Sequence, residues 1–354
     1  MVQKLFLPSS IVSGVLLLLF GPQVLGQIVG GGLSEAGLYT TPILETWGAL
    51  PGLLISVVFA TMFLGQNLPD VRRAARLTGP QLSFGLALGS GQYVVGLLLA
   101  VLVLVPLFAA SPMVGALIEI GFEGGHGTAA GMREVFLELG FESGADLAVG
   151  MATVGIVSGI VLGIALINWA VRTGRTELLT GQANASESER RGLFPRDDQQ
   201  AAGRMTSRPS SIEPFSLHVA LVAVAILIGW LILQGLTWIE SVTWGQTELR
   251  DGVQLELLGS MPLFPLALVG GVILQAIAKA LRFDRLIDHQ IMLRIQGFAL
   301  DFLIVSAIAN LSLTAIGENI GVFVILAAAG ILFNVLMLLF FAPRIIGRYW
   351  FERG

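Results

Sequence analysis

Long apolar runs without charge alternate with short charged segments along the whole chain. A helix needs about 20 residues to cross the hydrocarbon core of a bilayer, and the longer runs are of that length. They predict eight membrane-spanning helices, at about 9–28, 49–68, 81–109, 146–171, 214–237, 258–279, 295–316 and 320–342. We therefore predict an all-α polytopic membrane protein.

Composition supports this fold class and excludes several others. Of the 354 residues, 55% are hydrophobic and only 12% are charged, and the mean hydropathy is +0.82. A soluble domain carries about 25% charged residues, so this chain could not cover a water-exposed surface. Soluble enzymes and nucleic-acid-binding proteins are excluded, and the absence of cysteine excludes a disulfide scaffold.

The distribution of basic residues predicts the orientation in the membrane. If the first span runs from the cytoplasm outwards, all of the 20 Lys and Arg residues except Arg133 and Arg250 lie on the cytoplasmic side. The positive-inside rule favours this topology. It places segment 173–213 and the C-terminal end in the cytoplasm of a multi-pass protein of the plasma (inner) membrane.

This topology requires segment 110–145 to leave and re-enter on the exterior side. It contains two apolar arms, each about half a span long, separated by the glycine-rich sequence Glu123–Thr128. Non-helical backbone at membrane depth needs protein or water to satisfy its polar groups. We predict a re-entrant hairpin over 111–140; an amphipathic extracellular loop is the alternative. Segment 173–213, charged and without apolar periodicity, is predicted to be a disordered linker.

The chain divides into halves of opposite predicted orientation, as in many secondary transporters. Residues 1–172 form the first predicted inverted repeat and residues 214–354 the second. A proline followed six residues later by glycine begins one span of each half, at Pro8 and Gly14 and again at Pro265 and Gly271. In this register we expect one helix to be missing before the first repeat, and a hairpin and a last helix after the second.

The centre of the predicted hairpin carries the first group of candidate site residues. These are Gly124, Gly125, His126, Gly127 and Thr128. Glycine lets the backbone approach a ligand closely, Thr128 is placed to cap the second arm, and His126 could donate to an anion or relay a proton. Alternatively, His126 only satisfies local carbonyls in a turn. Polar residues of the spans are predicted to line a cavity at this site. They are Gln66, Asn67, Thr153, Asn310, Ser312 and Thr314.

Acidic residues in apolar surroundings form the second group. Glu119 and Glu123 are four residues apart and share a helix face, and Asp301 is the one acid inside a predicted span. Buried acids are costly in a membrane and commonly functional. Glu123 and Asp301 are therefore candidates for cation or proton coupling. The alternatives are solvation of both glutamates near the surface, and pairing of Asp301 with Arg294.

At its glycine-rich centre the chain resembles the sodium/glutamate symporter family. Residues 124–128 match the family's Gly-Gly-His-Gly-Thr hairpin motif, and 151–155 resemble a flanking helix. The resemblance continues in order from Leu7-Pro8 to Pro343-Arg344. It implies Na⁺-coupled uptake of glutamate or a similar small carboxylate by an elevator-type homodimer, with no cofactor besides the coupling ion. It also implies that the motif residues bind the substrate, while the family's second hairpin has no counterpart here. We add Thr153, a polar residue of the flanking helix, to the predicted substrate-binding residues.

One residue departs from this pattern. Glu123 stands where well-known members of the family have serine. A carboxylate beside an anionic substrate repels it unless the carboxylate is protonated or bound to a cation. A different cation-coupled organic-anion transporter is therefore one alternative function. An intramembrane enzyme with His126 as its base, and a receptor that binds without transport, are two others.

Overall fold

A computed structural model of the chain describes residues 8–31, 35–66, 71–173, 197, 199, 201–244, 258, 261–347 and 350–353. Within these ranges, eight helices are long and apolar enough to cross a membrane. The predicted all-α polytopic fold is thereby confirmed. Most of the predicted linker 173–213, namely 174–196, 198 and 200, lies outside the described residues, as does Asn67.

The helices follow the predicted order. The first half contains α1 Ser9–Phe20, α2 Thr41–Thr61, α3 Val71–Leu99, α4 Leu117–Phe122, α5 Gly125–Gly131, α6 Arg133–Glu138 and α7 Gly144–Arg172. The second half contains α8 Pro214–Val242, α9 Leu263–Ala280, α10 His289–Ala309, α11 Leu313–Glu318, α12 Ile320–Leu336 and α13 Trp350–Arg353. Further helical turns extend three spans, to Ser9–Val29, Gly79–Phe108 and Ile320–Ile345.

Two of the helices that begin earlier than the apolar runs predict have a local cause. Helix α2 starts at Thr41 rather than near 49, because Pro42 favours a first helical turn. Helix α10 starts at His289 rather than 295, because the Oδ1 atom of Asp288 accepts the backbone N–H of Ile291 at 3.0 Å and caps the helix. Polar end turns thus belong to these helices although they lie outside the apolar runs.

The spans pack in two groups. The first, called the α2 group, contains α1, α2, α8, α9 and α10. In it, α9 packs on α8 and α2, and α10 packs on α2 and α1. In the second, called the hairpin group, the segment Pro112–Glu138 packs on α3 and α7, and α12 contacts the same two helices. Gly121 shows how close this packing is, since a Cβ atom there would lie 2.5 Å from the Cβ of Met151.

Two glycines that the proposed repeat aligns make comparable contacts. A Cβ atom on Gly14 of α1 would lie 2.8 Å from the Cβ of Ile308 on α10, and one on Gly271 of α9 would lie 2.4 Å from the carbonyl oxygen of Ala60 on α2. Helix α1 therefore approaches α10, the helix that follows α9 in the second half, and α9 approaches α2, the helix that follows α1 in the first half. An inverted repeat would produce this exchange of partners, and the repeat itself stays a prediction.

Side-chain hydrogen bonds fix one end of the α2 group. His218 is fully buried, with Nδ1 2.6 Å from the Pro214 carbonyl and Nε2 accepting the backbone N–H of Asp288 at 2.8 Å. Nearby, the Gln275 amide accepts from the N–H of Gly65 and donates to the carbonyl of Gln66. Gln66, predicted to line the substrate cavity, therefore belongs to this structural network.

Replacing His218 with leucine should destabilise the fold. The backbone N–H of Asp288 would lose its acceptor, and an unsatisfied buried donor costs about 1–3 kcal/mol. We expect a lower midpoint of thermal unfolding, measured by tryptophan fluorescence in detergent. The control is Val219→Ala on the next residue, whose side chain is exposed. Equal midpoints for His218→Leu and the unmodified chain would contradict a stabilising role for this bond.

Candidate functional site

The predicted hairpin segment consists of two helical arms with a break between them. A 3₁₀ turn, Pro112–Ala116, begins where Ser111 caps the N–H of Met113, and it leads into α4. The second arm is α5 followed by α6. Gly125 opens α5 with φ +68°, a left-handed conformation that favours glycine. The depth of these arms in the membrane stays a prediction.

The glycines at the break are required by space as well as by conformation. A Cβ atom on Gly124 would lie 2.6 Å from the carbonyl oxygen of Ile120 and 2.8 Å from the Cβ of Thr128. The expectation that Thr128 caps the second arm is wrong. Helix α5 begins at Gly125, so Thr128 lies one turn inside it, and the capping position is Gly124 without a side-chain bond.

His126 is the buried polar residue of the break. Only 3% of its surface is exposed, and its Nε2 atom lies 2.9 Å from the hydroxyl oxygen of Thr153 on α7. That hydroxyl donates its single proton to the carbonyl of Val149, at 3.0 Å. Nε2 must therefore carry the proton and donate to Thr153, which leaves Nδ1 as an acceptor in the neutral ring. The structure thus joins two predicted site residues that are 27 positions apart.

This bond bears on two of the alternatives. The described partner of His126 is a hydroxyl on another helix. The alternative in which His126 only satisfies local carbonyls in a turn therefore does not fit this contact. A base that activates a hydroxyl nucleophile must accept the hydroxyl proton. Here the Thr153 proton is directed at Val149, which is the wrong arrangement for that chemistry.

The second arm also contacts the α2 group through glycine. A Cβ atom on Gly127 would lie 2.7 Å from the Cδ1 of Ile55 on α2 and 4.0 Å from the Cδ1 of Leu303 on α10. Gly131, one turn later, faces Ile55 in the same way. Gly127 therefore lets the break lie directly against the other group of helices.

Glu123 faces a different helix from His126. Its side chain is exposed, and its Oε2 atom would lie 2.7 Å from a Cβ on Gly89 of α3. Glu119 lies one turn earlier and is hydrogen-bonded to the hydroxyl of Tyr93, also on α3. The two carboxylates and the phenol form a polar patch between α3 and α4. Tyr93 was not predicted; the only sequence signal is a rare tyrosine, one of three, inside an apolar run.

Asp301 is not brought to the break. Leu303, two residues later, approaches Gly127, and two residues of helix turn by about 200°, so Asp301 lies on nearly the opposite side of α10. Its side chain is exposed, as are those of Phe298 and Phe302 on the same helix. In the described part of the chain, no ion pair joins it to Arg294. Its coupling role stays a prediction.

Two cavities lie between the second arm and the α2 group. The larger, of about 290 Å³, is lined by Ile55, Ser56, Glu134, Glu138 and Phe264. The smaller, of about 20 Å³, is lined by residues that include Arg133, Asp146 and Asn310. The backbone N–H of Ser312 donates to Asp146 at 3.0 Å. The sequence analysis did not predict Asp146 as a residue of this region. The signal that could have indicated it is an acidic side chain in the first turn of a span.

The described residues contain no group of three or more metal-ligating side chains. Among curated proteins and among solved structures, no significant match to the chain is found. The sequence profile of the sodium/glutamate symporter family, in contrast, matches residues 2–350. This match spans nearly the whole sequence, including the broken hairpin and all eight membrane-spanning helices. The chain therefore belongs to the sodium/glutamate symporter family.

Proposed function

We propose that this protein imports glutamate or a related small carboxylate together with Na⁺, by alternating access, and that it works as a homodimer. The family match over residues 2–350 carries the proposal. The broken hairpin, which holds His126 between two groups of helices, is the element that we assign to substrate binding. The backbone of Gly124, Gly125 and Gly127 and the side chains of His126, Thr128 and Thr153 supply its polar groups.

His126 determines what the break can offer a substrate. With Nε2 engaged by Thr153, neutral His126 presents Nδ1 as an acceptor, which suits the ammonium group of an amino acid. Uptake of a proton at Nδ1 would convert the same atom into a donor for a carboxylate. Thr153 keeps the ring in one tautomer and is a positioning residue in this scheme.

The two groups of helices supply a division for alternating access. The hairpin, α3, α7 and α12 would move as one body against α1, α2, α8, α9 and α10. Two features support this division: the cavities between the groups, and the glycine contacts of Gly127 and Gly131, which bring the two surfaces close without interlocking large side chains. The exchange of partners at Gly14 and Gly271 supports an inverted-repeat origin for the movement.

The test is uptake of radiolabelled glutamate into proteoliposomes that contain the full chain. We expect accumulation when an inward Na⁺ gradient is imposed, and none when K⁺ replaces Na⁺ at equal ionic strength. Accumulation that ignores the Na⁺ gradient but follows a proton gradient would refute Na⁺ coupling. Accumulation of other organic anions, with glutamate excluded, would favour the alternative of a different cation-coupled organic-anion transporter.

Glu123 is the residue that favours this second candidate, and a substitution tests its influence. Glu123→Gln removes a negative charge next to Gly124 while keeping the side-chain shape. We expect the KM for glutamate to fall about fivefold, corresponding to about 1 kcal/mol for a screened charge near the site. The matched control is Glu142→Gln in the exposed turn that follows the second arm. Equal KM values for Glu123→Gln and the unmodified chain would show that this carboxylate does not repel the substrate.

A further inference from the structure

A cleft of about 430 Å³ opens where segment 201–213 crosses the first turns of α8 and α10. Both cationic and apolar side chains line it. They include Arg204, Met205, Glu213, Phe215, Ile291 and Arg294. The cleft lies away from the hairpin, and none of these residues has a role in the proposed transport site.

The wall formed by segment 201–213 has a defined path. The Thr206 hydroxyl donates to the carbonyl of Leu286 at 2.8 Å, and the Ser207 hydroxyl donates to the carbonyl of Ile212 at 2.8 Å. A Cβ atom on Gly203 would lie 2.5 Å from the Cγ1 of Ile291, so the backbone passes directly over the start of α10. This part of the predicted linker is a built surface rather than a free tether.

The charge in the cleft is suited to an anion. Arg204 of segment 201–213 and Arg294 of α10 both line it, and in the described part of the chain neither makes an ion pair. Glu213 is the acid present. Its carboxylate accepts the backbone N–H of Ser216 at 2.6 Å, and this bond lowers the pKa of the carboxyl group. Glu213 also lines the cleft, and the N-terminus of α8 partly offsets its negative charge.

The apolar surface around the two arginines distinguishes among anions. Met205 is 76% exposed and Phe215 is 53% exposed. Both lie at the level where spans α8 and α10 begin, and the predicted topology places this level at the cytoplasmic lipid headgroups. A soluble anion would leave this surface uncovered, whereas a phospholipid places a phosphate and two acyl chains together.

From this arrangement we infer that the cleft binds an anionic phospholipid of the predicted cytoplasmic leaflet. The two guanidinium groups hold the headgroup phosphate, as paired donors do, and the acyl chains cover Phe215 and Ile291. The site ties segment 201–213 and the α2 group to the bilayer. It does not depend on which substrate the protein carries.

Native mass spectrometry of the full chain in detergent tests the inference, with phosphatidylglycerol as the probe and phosphatidylcholine as the neutral lipid. We compare the double variant Arg204→Gln/Arg294→Gln and the single variant Arg204→Gln with Arg208→Gln. Like Arg204→Gln, this control removes one positive charge from segment 201–213, but at a position outside the cleft. An arginine near an anionic surface contributes about a fivefold change in affinity. We expect the dissociation constant for phosphatidylglycerol to rise about 30-fold in the double variant and less than twofold in the control.

Three results would overturn the proposal. One is equal binding of phosphatidylcholine by the unmodified chain. Another is an equal loss of affinity in Arg208→Gln and Arg204→Gln, which would indicate diffuse attraction to the basic surface. The third is displacement of phosphatidylglycerol by millimolar inorganic phosphate, which would indicate a site for soluble anions. If the double variant does not elute as a folded protein, Arg204→Gln alone should raise the dissociation constant about fivefold, and no change would equally refute the site.

Discussion

Replacing His126 with alanine is expected to reduce Na⁺-driven uptake to the level of empty liposomes. The substitution removes the Nδ1 acceptor that we assign to the substrate and the Nε2 donor to Thr153. The fold should survive, because Thr153 keeps its bond to the carbonyl of Val149. Uptake of radiolabelled glutamate is the measurement, with the amount of inserted protein determined on the same vesicles.

Matched variants separate the role of the ring from that of its surroundings. Thr153→Ser keeps the hydroxyl and should retain transport, whereas Thr153→Val frees the ring and should reduce kcat. Gly125→Val should abolish uptake without blocking insertion, because the site has open space but the φ of +68° is strongly unfavourable for a β-branched residue. Normal transport by His126→Ala and Gly125→Val would show that the motif is only structural.

Gly270→Val is expected to prevent the α2 group from assembling. A Cβ atom on Gly270 would lie 2.0 Å from the carbonyl oxygen of Ala225, so α9 could not keep its present distance from α8. The obstacle is backbone, which cannot rotate away as a side chain can. We expect the free energy of unfolding to fall by about 3 kcal/mol or more, which is the upper end of the range for overpacked cores. The measurement is loss of the monodisperse peak in size-exclusion chromatography.

Gly235→Val is the control for this substitution. Gly235 lies on α8, and a Cβ atom there would meet nothing within 4 Å. The same valine should therefore be tolerated, with an unchanged elution profile and thermal midpoint. Similar behaviour of the two variants, whether both fold or both fail, would contradict the inference that close backbone approach at Gly270 holds α8 and α9 together.

The spans could be predicted from the sequence because an apolar run of sufficient length has one favourable place, the bilayer. Their ends could not be predicted equally well. Helix α2 takes in Thr41 and Pro42, and α10 is started by the carboxylate of Asp288, since capping groups and headgroup-level turns lie outside the apolar signal. The break near Gly124 was predictable because charge and glycine interrupt two short arms.

The candidate site divides in the same way. The sequence by itself determined the membrane class, the eight spans, the glycine-rich break and the family resemblance, because these depend on composition and order along the chain. Only the tertiary structure decided which side chains meet. It set His126 against Thr153, turned Glu123 towards α3 and placed Asp301 on the far side of α10 from Gly127. Such pairings depend on how each helix is rotated against its neighbours, and glycine contacts between distant segments fix that rotation.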